Sequence, residues 1–367
     1  MLRTIDLRTP ISYGWGLFEE LERHIPDGRC FLVLGGSSKR SEGWESKVRD
    51  SVRGELTVFR GVEPNPTSAT VEKGAEALRR FGPDYVLAVG GGSVMDAAKF
   101  MGVIGTHGGT AMDYVTKLKV PPDAGRPLYA VPTTPGTSSE ITPFAIVTVP
   151  ERRNKLGLRH PSIYPKAALV DPALTVPLPK DQTASTGLDI LSHAVESFWS
   201  AGANPLTQQM SLTSVRLVRK HLEGAFKDGS SREHREGMSL AGLFAGMSFS
   251  NTGTTICHAI SYPITVDTGL PHGMACALSL GPTFDLLRER KVDGLSDLSE
   301  AFGSTLSTFR EDLSSFMKAI EAPTTLSQVG FKGGVKRILA TDMENFKVNF
   351  TKRMDDADVE RIVGSME

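Results

Sequence analysis

Residues 84–104 read DYVLAVGGGSVMDAAKFMGVI. An apolar run ends in Gly90-Gly91-Gly92-Ser93, and apolar residues at helical spacing follow it, so the stretch reads as strand, glycine turn and helix. Glycines without a Cβ let a backbone come close to a pyrophosphate. The helix behind them turns its free N–H groups and positive dipole end toward it. Ser93 adds a hydroxyl donor. A plain tight turn would use the same glycines; the apolar strand before it and the helix after it favour the phosphate-binding reading.

Outward from this unit the first half keeps alternating. RCFLVLGG (29–36), ELTVFRGV (55–62), LYAVPTT (128–134), FAIVTVP (144–150) and AALVDP (167–172) read as strands, and 66–81 reads as a helix with Ala75, Leu78 and Arg79 at helical spacing. Such alternation implies a mostly parallel sheet flanked by helices. Near residue 176 the texture changes. Pro172, Pro177 and Pro179 interrupt both patterns, and long amphipathic stretches follow, among them DQTASTGLDILSHAVESFW (181–199) and HREGMSLAGLFAGMSF (234–249). The expected architecture is an α/β dinucleotide-binding domain over 1–176 and an all-helical, metal-binding domain over 177–367.

Bulk properties agree with two domains in 367 residues. With 40% hydrophobic and 23% charged residues and a net charge of −1, nothing argues for a nucleic-acid or membrane partner. No apolar run approaches the ~20 residues of a membrane span, and the N-terminus lacks the apolar core of a secretory signal. Cys30, Cys257 and Cys276 form no CxxC, and the apolar neighbours of the latter two make them small core residues. The expectation is a cytoplasmic protein.

Two further patterns carry chemistry. In PTTPGTSSE (132–140) hydroxyls crowd around Gly136; from the residues alone, helix capping is favoured over a nucleotide contact. Asp189 and His193 stand four positions apart in a helical pattern and so share a face. His258 and His272 lie fourteen positions apart. One carboxylate and three imidazoles can hold a first-row metal while leaving a position open for substrate, although any single histidine is more often structural.

The stretches GGGSVMDAAK, PTTPGTSSEIT, TGLDILSHAVES and HAISYPITVDTGLPHGMACAL, in this order and spacing, resemble the iron-containing alcohol dehydrogenase family, of dehydroquinate synthase-like fold, from about residue 10 to the C-terminus. The resemblance implies Asp189, His193, His258 and His272 as ligands of a divalent metal, with iron(II) favoured and zinc or nickel suitable. It implies Gly91, Gly92 and Ser93 as the pyrophosphate turn, with Asp96 in its helix. It also implies nucleotide contacts from Thr133, Thr134, Ser138 and Lys155, and a homodimer.

Two departures matter. Where many relatives carry a further histidine of a proton relay, this chain has Tyr262; either its phenol takes the relay, or the proton leaves through ribose hydroxyls and water. Where NAD-preferring members often carry an aspartate, this chain has Gly35-Gly36-Ser37-Ser38-Lys39-Arg40. With no carboxylate to repel it, a 2′-phosphate can be held by Ser37, Ser38 and a basic side chain such as Arg40, so NADP(H) is favoured over NAD(H).

The segments 250–278 and 345–366 look like the branch containing phosphonoacetaldehyde reductases. The chemistry implied is Lewis-acid-assisted hydride transfer to a small-molecule aldehyde carrying an anionic group. Phosphonoacetaldehyde comes first, then malonic or succinic semialdehyde, with a lactaldehyde-type reductase as alternative. Arg159, with Lys155 and His160 nearby in sequence, is the candidate anion partner, or equally a solvated surface arginine. A dehydroquinate synthase-like lyase would need a basic cluster beside His258 or His272, and none is present.

Overall fold

The computed structural model describes residues 4–36, 39–122, 125–152 and 154–367, with the side chains of Lys39 and Arg40 also left out. They form two compact units. One comprises Leu7–Thr134 and Ser138–Thr175; the other comprises Val176–Glu367, Pro135–Thr137 and the described N-terminal residues up to Asp6.

The first unit is built on eight strands: β1 (Ile11–Tyr13), β2 (Cys30–Gly35), β3 (Leu56–Val62), β4 (Tyr85–Gly90), β5 (Leu128–Pro132), β6 (Phe144–Val149), β7 (Asn154–Arg159) and β8 (Ala167–Val170). Six of them form one sheet in the order β1-β8-β5-β4-β2-β3, and every pair in it is parallel. Helices α1 (Lys39–Ser51), α2 (Ser68–Phe81), α3 (Gly92–His107) and α4 (Ala111–Val115) belong to the same unit.

Both faces of this sheet are covered. Phe31 and Val33 of β2 join Val86 and Ala88 of β4 against Val71, Ala75, Phe100 and Met101 of α2 and α3. Leu32, Leu34, Leu87 and Val89 face the other way, against Phe18, Leu21 and Val48. A strand buried on both sides needs apolar residues at every position, which is why these segments read as unbroken runs rather than alternations. α2 begins where the Thr67 hydroxyl accepts the Thr70 N–H, and ends at Gly82 with φ +62°.

The segment read as FAIVTVP is a strand, but it stands outside the parallel sheet. β6 and β7 pair antiparallel, Phe144 opposite Arg159 through Val149 opposite Asn154. Their inward residues, Ala145, Val147, Val149 and Leu158, complete the core on the α2–α3 side. β1 has three residues, too few for any periodicity to register.

The chain order reverses at β2. β3 lies on one side of it and β4 on the other, so the carboxyl ends of β2 and β4 open a crevice of the kind that takes ligands in such sheets.

The second unit is helical: α5 (Lys180–Trp199), α6 (Pro205–Lys227), α7 (Arg232–Thr252), α8 (Ile256–Thr268), α9 (His272–Ala277) and six further helices between Leu280 and Gly364 among the described residues. α5 is its axis. From Leu188 to Trp199 every residue is buried, and α6, α7 and α9 all pack on it. Among the described residues, no helix is long and apolar enough to cross a membrane.

Candidate active site

The helical unit gathers a cluster around α5. Asp189, His193 and Glu196 occupy positions i, i+4 and i+7 and share one face. α9 crosses that face so closely that a Cβ on Gly273 would lie 1.9 Å from the Ser185 carbonyl oxygen and 2.7 Å from the Asp189 nitrogen. Only glycine allows this approach, and it delivers His272 to Asp189.

Asp189 Oδ1 is the hub. It lies 3.9 Å from His193 Nδ1, 3.8 Å from His258 Nε2 and 3.9 Å from His272 Nε2. Donors ~2.0–2.2 Å from a shared ion in tetrahedral array stand about 3.4 Å apart, so each imidazole stands slightly farther from Asp189 than in a closed site. The chemistry of the cluster fits a metal. His193 Nδ1 and His258 Nε2 are buried and make no hydrogen bond among the described residues, which buried polar atoms ordinarily avoid. An ion between them would satisfy both.

Partners behind the imidazoles fix which nitrogen faces inward. Glu196 is fully buried. Its Oε1 accepts the N–H groups of Thr255 and Cys257, at 3.0 and 2.9 Å, and the Thr255 hydroxyl at 2.6 Å. Its Oε2 takes the Nδ1–H of His258, which leaves the Nε2 lone pair pointing at Asp189. For His272, Ser261 spends its proton on the His258 carbonyl at 2.7 Å. His272 Nδ1, 3.2 Å from that hydroxyl, is therefore the donor, and Nε2 again faces inward.

His193 stacks on Phe249 with ring centroids 4.1 Å apart and hydrogen-bonds the backbone at Gly136. Burial, with His258 beside it, drives it well below the usual histidine range. His258 goes the other way: burial alone would lower it, but Cys276 and Glu196 lift it well above that range, so an ion taking up Nε2 would displace a proton from it.

Three residues that sequence reasoning passed over stand out. Glu196 was legible in principle, since it completes the i, i+4, i+7 face of Asp189 and His193. Cys276 is a buried core residue, as its apolar neighbours imply, and it also borders the cluster. Its Sγ lies 3.6 Å from His272 Nε2, and the donor atoms of Asp189, His258, His272 and Cys276 all lie within 4.8 Å of one another. Asn65 is the third and belongs to the α/β unit.

Tyr262 is on α8, its ring stacked 5.9 Å from His272 and edge-on to Phe346. Burial pushes its phenol up to about 12.

In the α/β unit, β2 and β4 run side by side with Leu34 opposite Val89, so the turn at Gly35-Gly36 and the turn at Gly90–Ser93 emerge together. The glycines are demanded by close packing. A Cβ on Gly90 would meet Val94 at 2.5 Å, and one on Gly91 would meet the Thr134 hydroxyl at 3.0 Å. α3 starts at Gly91 without a capping side chain, as a helix end that receives an anion does. Thr133 is tied in by its N–H to the Gly90 carbonyl at 2.9 Å.

The Ser93 hydroxyl accepts the Asn65 N–H at 3.1 Å, and Asn65 Oδ1 in turn accepts from Lys155 Nζ at 2.9 Å. Asn65, with φ +56°, thereby links the glycine turn to Lys155. Asp96 spends its carboxylate internally, accepting the Ser139 hydroxyl at 2.6 Å and the Ile146 N–H at 3.0 Å. It braces α3 against β6. Buried Lys99 does the same through Ser139, Thr142 and Phe144.

Ser138 is buried at φ +50° before a three-residue 3₁₀ turn that its side chain does not cap. The exposed guanidinium of Arg159 lies 5.2 Å over the Phe144 ring, and His160 is taken up by Ser162. Ser37 and Ser38, and the side chain of Arg40, lie outside the described residues.

Residues 9–172 match the model of the family described as iron-containing alcohol dehydrogenase, and residues 183–365 match that of its C-terminal domain. The chain belongs to the iron-containing alcohol dehydrogenases. It is 31% identical over 332 residues to an NADPH-dependent butanol dehydrogenase of Clostridium saccharobutylicum, covering 87% of this chain and 85% of that one. It is 35% identical over 308 residues to a choline dehydrogenase of Bacillus subtilis, covering 82% and 76%.

Among solved structures, an archaeal alcohol dehydrogenase from a Red Sea brine pool superposes with TM-score 0.92 at 26% identity, covering 100% of this chain and 99% of that one. A sulfoacetaldehyde reductase from Bifidobacterium kashiwanohense, in complex with NAD+, superposes with TM-score 0.90 at 28% identity and the same coverage. The protein is therefore an oxidoreductase acting on CH–OH groups. Its family implies a divalent metal and a nicotinamide dinucleotide.

Proposed function

We propose that this enzyme reduces a short anionic aldehyde to its alcohol with NADPH, using a divalent ion held by Asp189, His193, His258 and His272. The observation that supports it best is the convergence on Asp189 Oδ1 of three imidazoles, two of them with buried, unsatisfied nitrogens. A bound ion there supplies Lewis-acid polarisation of the carbonyl oxygen, and the nicotinamide supplies the hydride. Iron(II) is the ion the family favours, and the same donors suit zinc or nickel.

Gly91, Gly92 and Ser93 cradle the pyrophosphate, and Gly35 and Gly36 open the turn toward the adenosine ribose. Asp96 holds the α3 end in place, while Thr133, Thr134, Ser138 and Lys155 flank the nucleotide. Tyr262 is neutral at physiological pH, as a phenol with or without that shift is, and so carries a proton to pass toward the product oxygen. The other route runs through ribose hydroxyls and water.

For the substrate, phosphonoacetaldehyde is the first candidate, ahead of malonic or succinic semialdehyde. Two features support an anionic aldehyde: the likeness of 250–278 to the phosphonoacetaldehyde reductase branch, and a solved neighbour named for sulfoacetaldehyde. A desolvated phosphonate needs a fixed cation or several N–H donors, and Arg159 is the candidate cation.

Initial rates of NADPH oxidation across an aldehyde panel test this. kcat/KM for the anionic aldehyde is expected to exceed that for butyraldehyde by at least about 100-fold, what a charge-assisted hydrogen bond supplies. Comparable efficiency on neutral aldehydes or lactaldehyde would overturn the assignment and favour a general or lactaldehyde-type reductase.

A further inference from the structure

We propose that Cys276 is an additional donor in the metal centre, so that the resident ion is held by a carboxylate, imidazoles and one thiolate. This rests on the reading of Asp189, His193, His258 and His272 as metal ligands, and extends it to a residue that reading does not use.

Two i, i+4 pairs face one another across the cluster: Asp189 and His193 on α5, His272 and Cys276 on α9. Side chains four apart on a helix lie one above the other, which is the geometry that lets neighbouring residues grip one ion. The Cys276 thiol is fully buried. Its Sγ stands 3.6 Å from His272 Nε2, inside the same 4.8 Å cluster as the donor atoms of Asp189 and His258. Independently, His258 Nε2 is buried, has no hydrogen-bond partner among the described residues, and points into this cluster. An ion satisfying that nitrogen has the sulfur within its reach.

As the metal–sulfur bond forms, the thiol proton leaves to solvent. Asp189 and the thiolate together then balance the two positive charges of the ion. A soft donor shifts the site toward zinc, cobalt(II) and iron(II) and away from manganese and magnesium, which carboxylate, carbonyl and water suit better.

The test uses the full-length protein, stripped of metal and titrated anaerobically with cobalt(II), with absorption as the readout. The wild type is expected to show visible d–d bands together with a near-ultraviolet thiolate-to-cobalt charge-transfer band. In Cys276→Ser and Cys276→Ala the near-ultraviolet band disappears, the d–d bands persist, and zinc affinity falls by at least about tenfold, the lower end of what even an outer partner of a ligand contributes. X-ray absorption of the zinc-loaded wild type, which needs no variant, is expected to show one sulfur at ~2.3 Å among nitrogen and oxygen donors at ~2.0–2.1 Å.

Wild-type d–d bands without the charge-transfer band, or a charge-transfer band that survives in Cys276→Ser, would overturn the proposal while leaving the metal site standing. Absence of any d–d band in the wild type would overturn both.

Discussion

Glu196 shows how much of this site is decided one residue away from its donors. Its carboxylate accepts five hydrogen-bond donors, and the one from His258 Nδ1 sets the tautomer that leaves Nε2 available. In Glu196→Gln the shape is kept, but the amide nitrogen can only donate. If that group faces His258, Nδ1 must become the acceptor and Nε2 carries the proton into the cluster. Metal affinity is expected to fall about 10–100-fold, as for other partners of metal-bound histidines, with the fold retained. Metal titration monitored alongside circular dichroism measures both, and an unchanged affinity would mean Glu196 does not orient the ligand.

At the scale of elements, α9 is six residues long and is placed by Gly273. A Cβ there meets backbone atoms of α5, which cannot swing aside as a side chain could. Gly273→Ala is expected to cost ~1–3 kcal/mol or more from overpacking, and to weaken metal retention because His272 moves with the helix. Gly364→Ala, where a new Cβ meets nothing within 4 Å, serves as the neutral control in thermal denaturation. A Gly273→Ala protein that melts and binds metal like the wild type would show that this contact does not position His272.

The same elements show what a linear sequence reveals. β2, β4 and α3 were legible because sheet burial on both faces and a glycine turn leave strong local marks. The i, i+4 spacing of Asp189 and His193 likewise declares a shared face. β1 was invisible because three residues have no period, and the departure of β6 into a hairpin with β7 depends on pairing that no local pattern encodes. The apolar neighbours of Cys276 mark its burial, but its place beside the cluster follows from α9 lying on α5, a contact between segments more than seventy positions apart.

The whole molecule divides the chemistry between a unit that carries the nucleotide-type turns and a unit that carries the metal-type cluster. Cofactor choice belongs to the first. Gly35 sits at the end of β2, where an added Cβ would find only ordinary contacts, 3.5 Å to Val94 and 3.8 Å to the Val62 carbonyl, so the backbone there accepts a side chain's first carbon. The wild type is expected to favour NADPH over NADH in kcat/KM, and Gly35→Asp to erode or invert that preference by setting a carboxylate against the 2′-phosphate. Steady-state kinetics with both cofactors checks it, and equal or better efficiency of the wild type with NADH would refute it.

In the proposed function the Asp189–His193–His258–His272 cluster holds the ion on which aldehyde reduction depends. The most direct measurement is NADPH oxidation with a reducible aldehyde by chelator-stripped protein, reloaded stepwise with iron(II) or zinc while bound metal is counted. Turnover is expected to be negligible without metal and to rise linearly to one ion per chain. His272→Ala, folded like the wild type, should lose turnover at every metal concentration, since an absent carbonyl-polarising ion adds roughly several kcal/mol to the barrier. Near-normal kcat in folded protein shown to be free of metal would contradict it.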